Sequence, residues 1–416
     1  MYLTKEEEKI LDGGQGLGFQ KAMELLVSLG DIFGAEKLIE ISSAHLSSAA
    51  YASSGDTGIR FLEKMVEDKA YFNVLTTLNP ISIEYDRWKE LGFPNEYTKK
   101  QLRLTEAYRK LHAVATYTCT PFLVGNYPRF GEHVAWAESS ALSFINTVVG
   151  ARTNRESALS ALSAGLIGKT PNYGLHLTEN RRGEVLVNVE TELKHGSDYS
   201  ALGYNIGKRI GSKIPVFSNI PHDVKSSDIN AMCAALAVSG AVPMCHIVGV
   251  TPEASTIKKA FGGGRSKEKL TFDKAELKGT YEDLGSKISE TDVDLVILGC
   301  PHCWYDQLVE VARLLKDKKV CEGVDLWICT SSPIMTIAKR TGYVDIIEAS
   351  GAKIVCSYCP AVTANFLDWK TMVTDSTKQT FYGKGVLGID VIFGTTEQAV
   401  NAAITGKWSE KNDYRA

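Results

Sequence analysis

Three cysteines share one local setting. Cys119 in YTCTPF, Cys300 in LGCPHC and Cys359 in SYCPAV each follow a strand-like run and stand beside a proline. In an α/β protein ligands collect outside the carboxyl ends of strands, and proline stiffens the loop that presents a thiolate. The spacing therefore suits metal binding, against the ordinary fate of a free cysteine as a small buried apolar residue. Cys300/Cys303 and Cys356/Cys359 are both C-x-x-C, but 52 residues separate the pairs, where compact zinc ribbons use roughly 15 to 20. A thioredoxin-like pair is disfavoured because each carries a proline that would disturb a helix. Cys233, Cys245, Cys321 and Cys329 read as structural.

A second concentration of functional groups runs from Cys119 to Glu156. Arg129, Glu132, His133, Glu138, Ser139, Ser140, Asn146, Arg152, Asn154 and Arg155 lie there among glycines and small residues, interleaved with Trp136 and Phe144. Such interleaving means half-buried structure in which polar groups need partners, as in the lining of a polar cavity. His45, His176, His222, His246 and His302 form no H-x-x-x-H pair and read as structural. The glycines at 14–18 follow a helix and those at 262–264 lack a phosphate-loop ending, so both read as turns.

The elements that position these groups alternate. Thr4 with Glu7 makes a capping box, and helices are expected near 19–29, 58–67 and 98–111, with strands near 37–41 and 72–78 and a turn at Asn79-Pro80. From Lys213 apolar runs at 214–217, 243–250, 293–298, 326–329, 354–356 and 386–392 alternate with helical stretches, which is α/β with largely parallel sheets. Gly262 to Lys269 reads as a linker. The expected lobes are 1–211 carrying Cys119, 212–285, and 286–416 carrying Cys300 and Cys359.

Composition narrows the class. The chain has 416 residues with 46 basic and 49 acidic side chains, a net charge of −3, and 44% apolar residues. This is globular composition and excludes a disordered chain or a polybasic nucleic-acid binder. The acidic start MYLTKEEEK is unlike a signal peptide, and Pro243 and His246 interrupt the most apolar window, 234–250, so a cytoplasmic protein with no membrane partner is expected. Nine cysteines, an odd number, suit reduced or metal-bound thiols better than bridges.

The stretch YTCTPFLVGNYPRFGEHVAWAESSALSFINTVVGARTNRE, with SSAHLSSAAY, TTLNP, TPNYGLHLTENR and LGCPHC, resembles the aconitase X family over nearly the whole chain, close to its large-subunit type. The resemblance implies aconitase-like catalytic domains, several α/β/α lobes around a central cleft, and a separate small swivelling-domain subunit that closes the site. It makes Cys119, Cys300 and Cys359 the ligands of an iron–sulfur cluster, 4Fe–4S by analogy, with 2Fe–2S or mononuclear iron also compatible with three thiolates. Substrate contacts would fall on Ser48, Ala49, Ala50, Asn79, Pro80, Glu138, Ser139 and Lys378. Of these, Ser48, Glu138, Ser139 and Lys378 are the candidates for catalysis, with Ser48 or Ser139 as base. Arg129, His133, Arg152 and Arg155, from the polar stretch, join the substrate-binding candidates. Two positions depart from the family pattern: Ala50 stands where S-G-V-S-Y has its second serine, and Ser357-Tyr358 precedes Cys359 where D-T is usual.

The implied activity is a hydro-lyase that removes water from a small hydroxy acid. (R)-5-phosphomevalonate, of the mevalonate route to isoprenoids, is favoured by the three arginines and by the absence of a small-subunit domain. The alternatives are cis-3-hydroxy-L-proline or another hydroxy acid. A different class of reading, motivated by Ala50, is a non-catalytic iron–sulfur sensor or structural subunit.

Overall fold

The structure, a computed structural model, describes residues 1–285 and 290–409. The expected start of the last lobe at 286 and its end at 416 lie outside the described residues. Among these, no helix is long and apolar enough to cross a membrane.

Three parallel sheets organise the chain. The first joins Leu75–Leu78, Ser43–Leu46 and Ala135–Trp136 in that order. The second runs His246–Ile247, Pro215–Ser218, Val185–Val189 and Glu268–Phe272. The third has five strands, Lys353–Val355, Asp325–Thr330, Leu295–Cys303, Thr371–Thr374 and Asp390–Phe393. Residue 211 falls between two strands of the second sheet.

Side-chain alternation explains how the third sheet meets the first lobe. Successive residues of a strand face opposite sides. Leu295, Ile297, Trp327, Cys329, Val355 and Met372 enter the core of the N-terminal lobe, whereas Val296, Leu298, Leu326, Ile328, Ile354 and Val373 pack under the sheet's own helices. A sheet buried on both faces reads as a continuous apolar run, and this one does. Within the middle lobe two helices, Gly196–Ile210 and Ser226–Gly240, approach each other closely. A Cβ at Gly203 would lie 2.4 Å from Met232 O, and one at Gly207 2.1 Å from Ser239 Oγ.

Several local expectations need correction. The run at 386–392 is split: the helix Thr377–Val386 takes its first residue, and the strand starts at Asp390. The window 243–250 keeps only two strand residues. Gly262 to Lys269 is no linker, since its end enters the strand Glu268–Phe272 at the edge of the second sheet. The Thr4/Glu7 capping box is present.

Candidate active site

Each cysteine loop is fixed by backbone geometry. Cys300 lies in the strand Leu295–Cys303, where register with the neighbouring strand shifts between Leu298 and Cys303. The shift needs Gly299, which sits at φ +94°, with space for a Cβ only 2.1 Å from Cys329 O. Cys359 caps the short 3-10 helix Pro360–Val362, and its N–H donates to Ile81 O at 3.0 Å while Ile81 N–H donates to Ser357 O at 2.8 Å. Cys119 follows no strand. Its approach is held by Thr118 N–H donating to Leu78 O at 3.1 Å, and a 3-10 helix begins at Pro121.

One histidine ties the three loops together. His302 N–H donates to Cys119 Sγ at 3.2 Å, and its ring reaches Thr118 Oγ1 through Nδ1 at 3.0 Å and Tyr358 O through Nε2 at 3.1 Å. The carbonyl can only accept, so Nε2 carries the proton and Thr118 donates to Nδ1. Burial, opposed by the bond to Tyr358 O and by the Glu138 charge, holds this imidazole down at about 4, neutral. Residues adjoining Cys119 and Cys359 thus meet on a ring two residues beyond Cys300.

The thiols share an electrostatic environment. Burial pushes Cys300 up to about 11 and Cys359 to about 12 and raises Cys119 well above a free thiol, while the Lys378 ammonium pulls each back. All nine cysteines are free. One buried thiol, Cys119, and two half-buried ones, Cys300 and Cys359, beside one ammonium fit iron–sulfur ligation, because thiolates are the ligands such clusters take and iron supplies the positive charge that a desolvated thiolate needs. Among the described residues no three His, Cys, Asp or Glu side chains crowd around a single metal ion, and ligands of separate irons need not.

The polar half of the site comes from adjacent strand ends of the first sheet. Ser48 to Ala50 follow Ser43–Leu46, Asn79 and Pro80 follow Leu75–Leu78, and Glu138 and Ser139 follow Ala135–Trp136. Glu138 caps the helix Ser139–Phe144, accepting from Ser140 N–H at 3.3 Å and Ser140 Oγ at 3.0 Å. Its other oxygen accepts from Asn79 Nδ2 at 3.0 Å. Lys378, in the first turn of Thr377–Val386, pairs with Glu138 and donates to Ser139 Oγ at 3.3 Å. That helix is pinned to the middle lobe by Thr377 N–H donating to Ser200 Oγ at 3.1 Å. Burial raises the Glu138 carboxyl, but the Lys378 ammonium and the Ser140 bonds outweigh it and hold it at about 2. Burial disfavours the Lys378 ammonium, and Glu138 and the thiols more than reverse this. Ser48 Oγ lies 2.5 Å from the buried Tyr108 Oη, and Ala49 and Ala50 are fully buried.

The remaining sequence candidates lie elsewhere. His133 Nδ1 meets His176 Nδ1 at 3.0 Å, and Arg152 donates to His176 O at 2.8 Å and Thr178 Oγ1 at 2.9 Å. Arg155 is exposed and reaches Ala237 O, and Arg129 is exposed. Arg155 thereby reaches the middle lobe, whereas His133 and Arg152 bond within the first. Asn146 is likewise explained by Arg181, a fully buried guanidinium that donates to Asn146 O at 3.0 Å and pairs with Glu253. Sequence reasoning missed His302, Tyr108 and Arg181. Only His302 carried a signal, its place in C-P-H-C. A cavity of about 720 Å³ between the middle and C-terminal lobes reaches Cys300 and Ser376 but not Ser48, Asn79, Glu138 or Lys378.

Comparison with known proteins matches the chain to three family models, aconitase X first domain over residues 1–179, second domain over 183–282 and third domain over 293–405. It is similar to the phosphomevalonate dehydratase large subunits of Methanothermobacter thermautotrophicus, 43% identical over 94% of this chain and 96% of that one, and Methanocaldococcus jannaschii, 44% identical over 96% and 99%. A cis-3-hydroxy-L-proline dehydratase of Pseudomonas aeruginosa is 33% identical over 96% of this chain and 70% of its own length. The crystal structure of Thermococcus kodakaraensis aconitase X in its holo-form superposes with a TM-score of 0.89 at 40% identity, covering 97% of this chain and all of that one.

Proposed function

The chain belongs to the aconitase X family, and from that premise we propose that it is the large subunit of a dehydratase whose substrate is (R)-5-phosphomevalonate. End-to-end identity of 43% and 44% with large subunits named for that activity carries the choice. The hydroxyproline enzymes are more distant, and 30% of the length of the Pseudomonas protein lies outside the match. The arginines give no support, since Arg129, Arg152 and Arg155 do not gather beside Lys378. A separate small subunit is the companion implied by the relatives' names.

Cys119, Cys300 and Cys359 would hold a 4Fe–4S cluster. Bound there by three thiolates, it would keep one iron open to act as a Lewis acid on the substrate hydroxyl. The chain's own groups then divide the remaining work. An ammonium has three donors, and the two that Lys378 gives to Glu138 and Ser139 leave one for a substrate oxyanion. The Glu138 oxygen bonded to Asn79 keeps acceptor capacity toward a substrate hydroxyl. Of the two serines, Ser139 is better placed to take a proton. Its Oγ lies 3.5 Å from Glu138 Oε1 and receives the Lys378 hydrogen bond, which stabilises developing negative charge. Ser48 faces only a phenol, itself pushed up to about 12 by burial.

The test is anaerobic reconstitution with iron and sulfide, mixing with the companion small subunit, and addition of (R)-5-phosphomevalonate. Growth of ultraviolet absorbance from a conjugated acid supports the reading. Turnover of cis-3-hydroxy-L-proline instead moves the substrate, and iron binding without turnover of either favours a sensor.

A further inference from the structure

Behind Glu138 a line of buried polar side chains crosses the first sheet. Asn126 Nδ2 lies 2.9 Å from Thr77 Oγ1 and 3.3 Å from Ala44 O. Thr77 Oγ1 lies 2.9 Å from His45 Nδ1, and His45 Nε2 lies 3.4 Å from Asn79 Oδ1. Asn126 and Thr77 are each 1% exposed and His45 is fully buried, so none of the three is open to bulk solvent.

The direction of every bond follows from its two ends. The Glu138 carboxylate, ionised beside Lys378, only accepts, so Asn79 must turn its Nδ2 to it and its Oδ1 to His45. His45 Nε2 must therefore carry the proton, which leaves Nδ1 as a lone pair that Thr77 Oγ–H serves at 2.9 Å, the shorter of its two contacts, the other being the Ala44 carbonyl at 3.4 Å. At the far end the Ala44 carbonyl also only accepts, so Asn126 presents Nδ2 there and to the lone pair of Thr77. The chain Asn126, Thr77, His45, Asn79, Glu138 thus donates one way throughout, and reversing any link would set two acceptors face to face at the next.

We infer that Asn126, Thr77 and His45 are positioning residues that fix Asn79 so that it delivers an N–H, and never a carbonyl, to Glu138. Asn126 also sits in the segment after Cys119, its N–H bonded to Pro121 O at 3.1 Å, so the chain links the cysteine loop to the carboxylate. Without the Thr77 hydroxyl the buried Nδ1 lone pair of His45 has no donor, which weakens the preference for the Nε2 tautomer. The Asn79 amide can then turn over, and its oxygen would repel Glu138 and shift the Glu138–Lys378 pair from its place.

The consequence for turnover rests on the dehydratase reading, while the tautomer is read without substrate. Long-range ¹⁵N–¹H spectra of the histidine-labelled full chain, with His45 assigned by its loss in His45→Gln, should show a neutral ring protonated at Nε2 from pH 8 to pH 5. A ring protonated at Nδ1, or an imidazolium in that range, overturns the inference even in an active enzyme. Thr77→Val removes the donor and keeps the shape, and Thr77→Ser keeps the donor. In the complex with the small subunit, Thr77→Val should lower kcat about tenfold with KM within about twofold, and Thr77→Ser should restore at least half the activity. Equal losses in the two variants overturn the inference. If the wild type shows the expected tautomer but dehydrates nothing, the dehydratase reading fails and the directional chain stands.

Discussion

Replacing Lys378 by methionine should destabilise the protein at neutral pH and invert the way its site responds to acid. In the wild type Glu138 is held from 4.5 down to about 2, a shift worth about 3 kcal/mol. Because the folded value is depressed, this stability is complete above pH ~4.5 and is lost as the pH falls toward 2. Without the ammonium the largest remaining influence is burial, which raises the carboxyl, so the sign changes. A raised carboxyl opposes folding at neutral pH, and the penalty shrinks as the pH falls through its folded value. Removing one partner of a buried pair costs roughly 3–5 kcal/mol. The side chains here are 9% and 12% exposed, and Asn79 and Ser140 still donate to Glu138, which places the loss at the lower end. Urea unfolding followed by tryptophan fluorescence at pH 7.5 and pH 5, at matched iron content, reads the effect. The first transition is the one to compare in a chain of three lobes. The deficit of Lys378→Met should be about 3 kcal/mol at pH 7.5 and smaller at pH 5, and Lys378→Met/Glu138→Gln should recover half or more of it. A deficit under about 1 kcal/mol, or one that grows on acidification, would refute the pairing.

Other outcomes follow from the same geometry. Arg129→Ala and Arg155→Ala should leave kcat and KM within about twofold of wild type, because both are exposed and Arg155 is spent on Ala237 O, and a tenfold rise in KM would return them to the site. Arg181→Met should lower stability by about 3–5 kcal/mol in urea melts without entering the chemistry, since Glu253 and Asn146 lose a fully buried partner. His302→Phe keeps the ring but cuts its bonds to Thr118 and Tyr358. It should cost about 1–3 kcal/mol and reduce the iron retained after anaerobic desalting, and unchanged iron retention would show that the ring does not tie the loops.

What the sequence disclosed was what local pattern encodes. The apolar runs of the third sheet are legible because its strands are buried on both faces, and the Thr4/Glu7 box because both partners lie within one turn. Cys300 and Cys359 stand out by their place near strand ends, whereas Cys119 approaches through irregular chain held by Leu78. The end of the helix Thr377–Val386 was not legible, because Val386 suits the helix and the following strand alike. The polar segment 119–156 divides between the Glu138–Lys378 pair and bonds made elsewhere, a division set by partners such as His176 and Arg181 that the segment itself does not contain. His45, read as structural, and Tyr108 gain significance only from what the fold brings beside them.

The central claim is tested most directly by iron and sulfide analysis with electron paramagnetic resonance of the anaerobically reconstituted chain, beside single Cys→Ala variants at 119, 300 and 359 and controls at 233, 245 and 321. The account predicts about four irons and four sulfides per wild-type chain, loss of the cluster signal in each of the first three variants, and retention in the controls. Full iron loading in any of Cys119→Ala, Cys300→Ala or Cys359→Ala would contradict it.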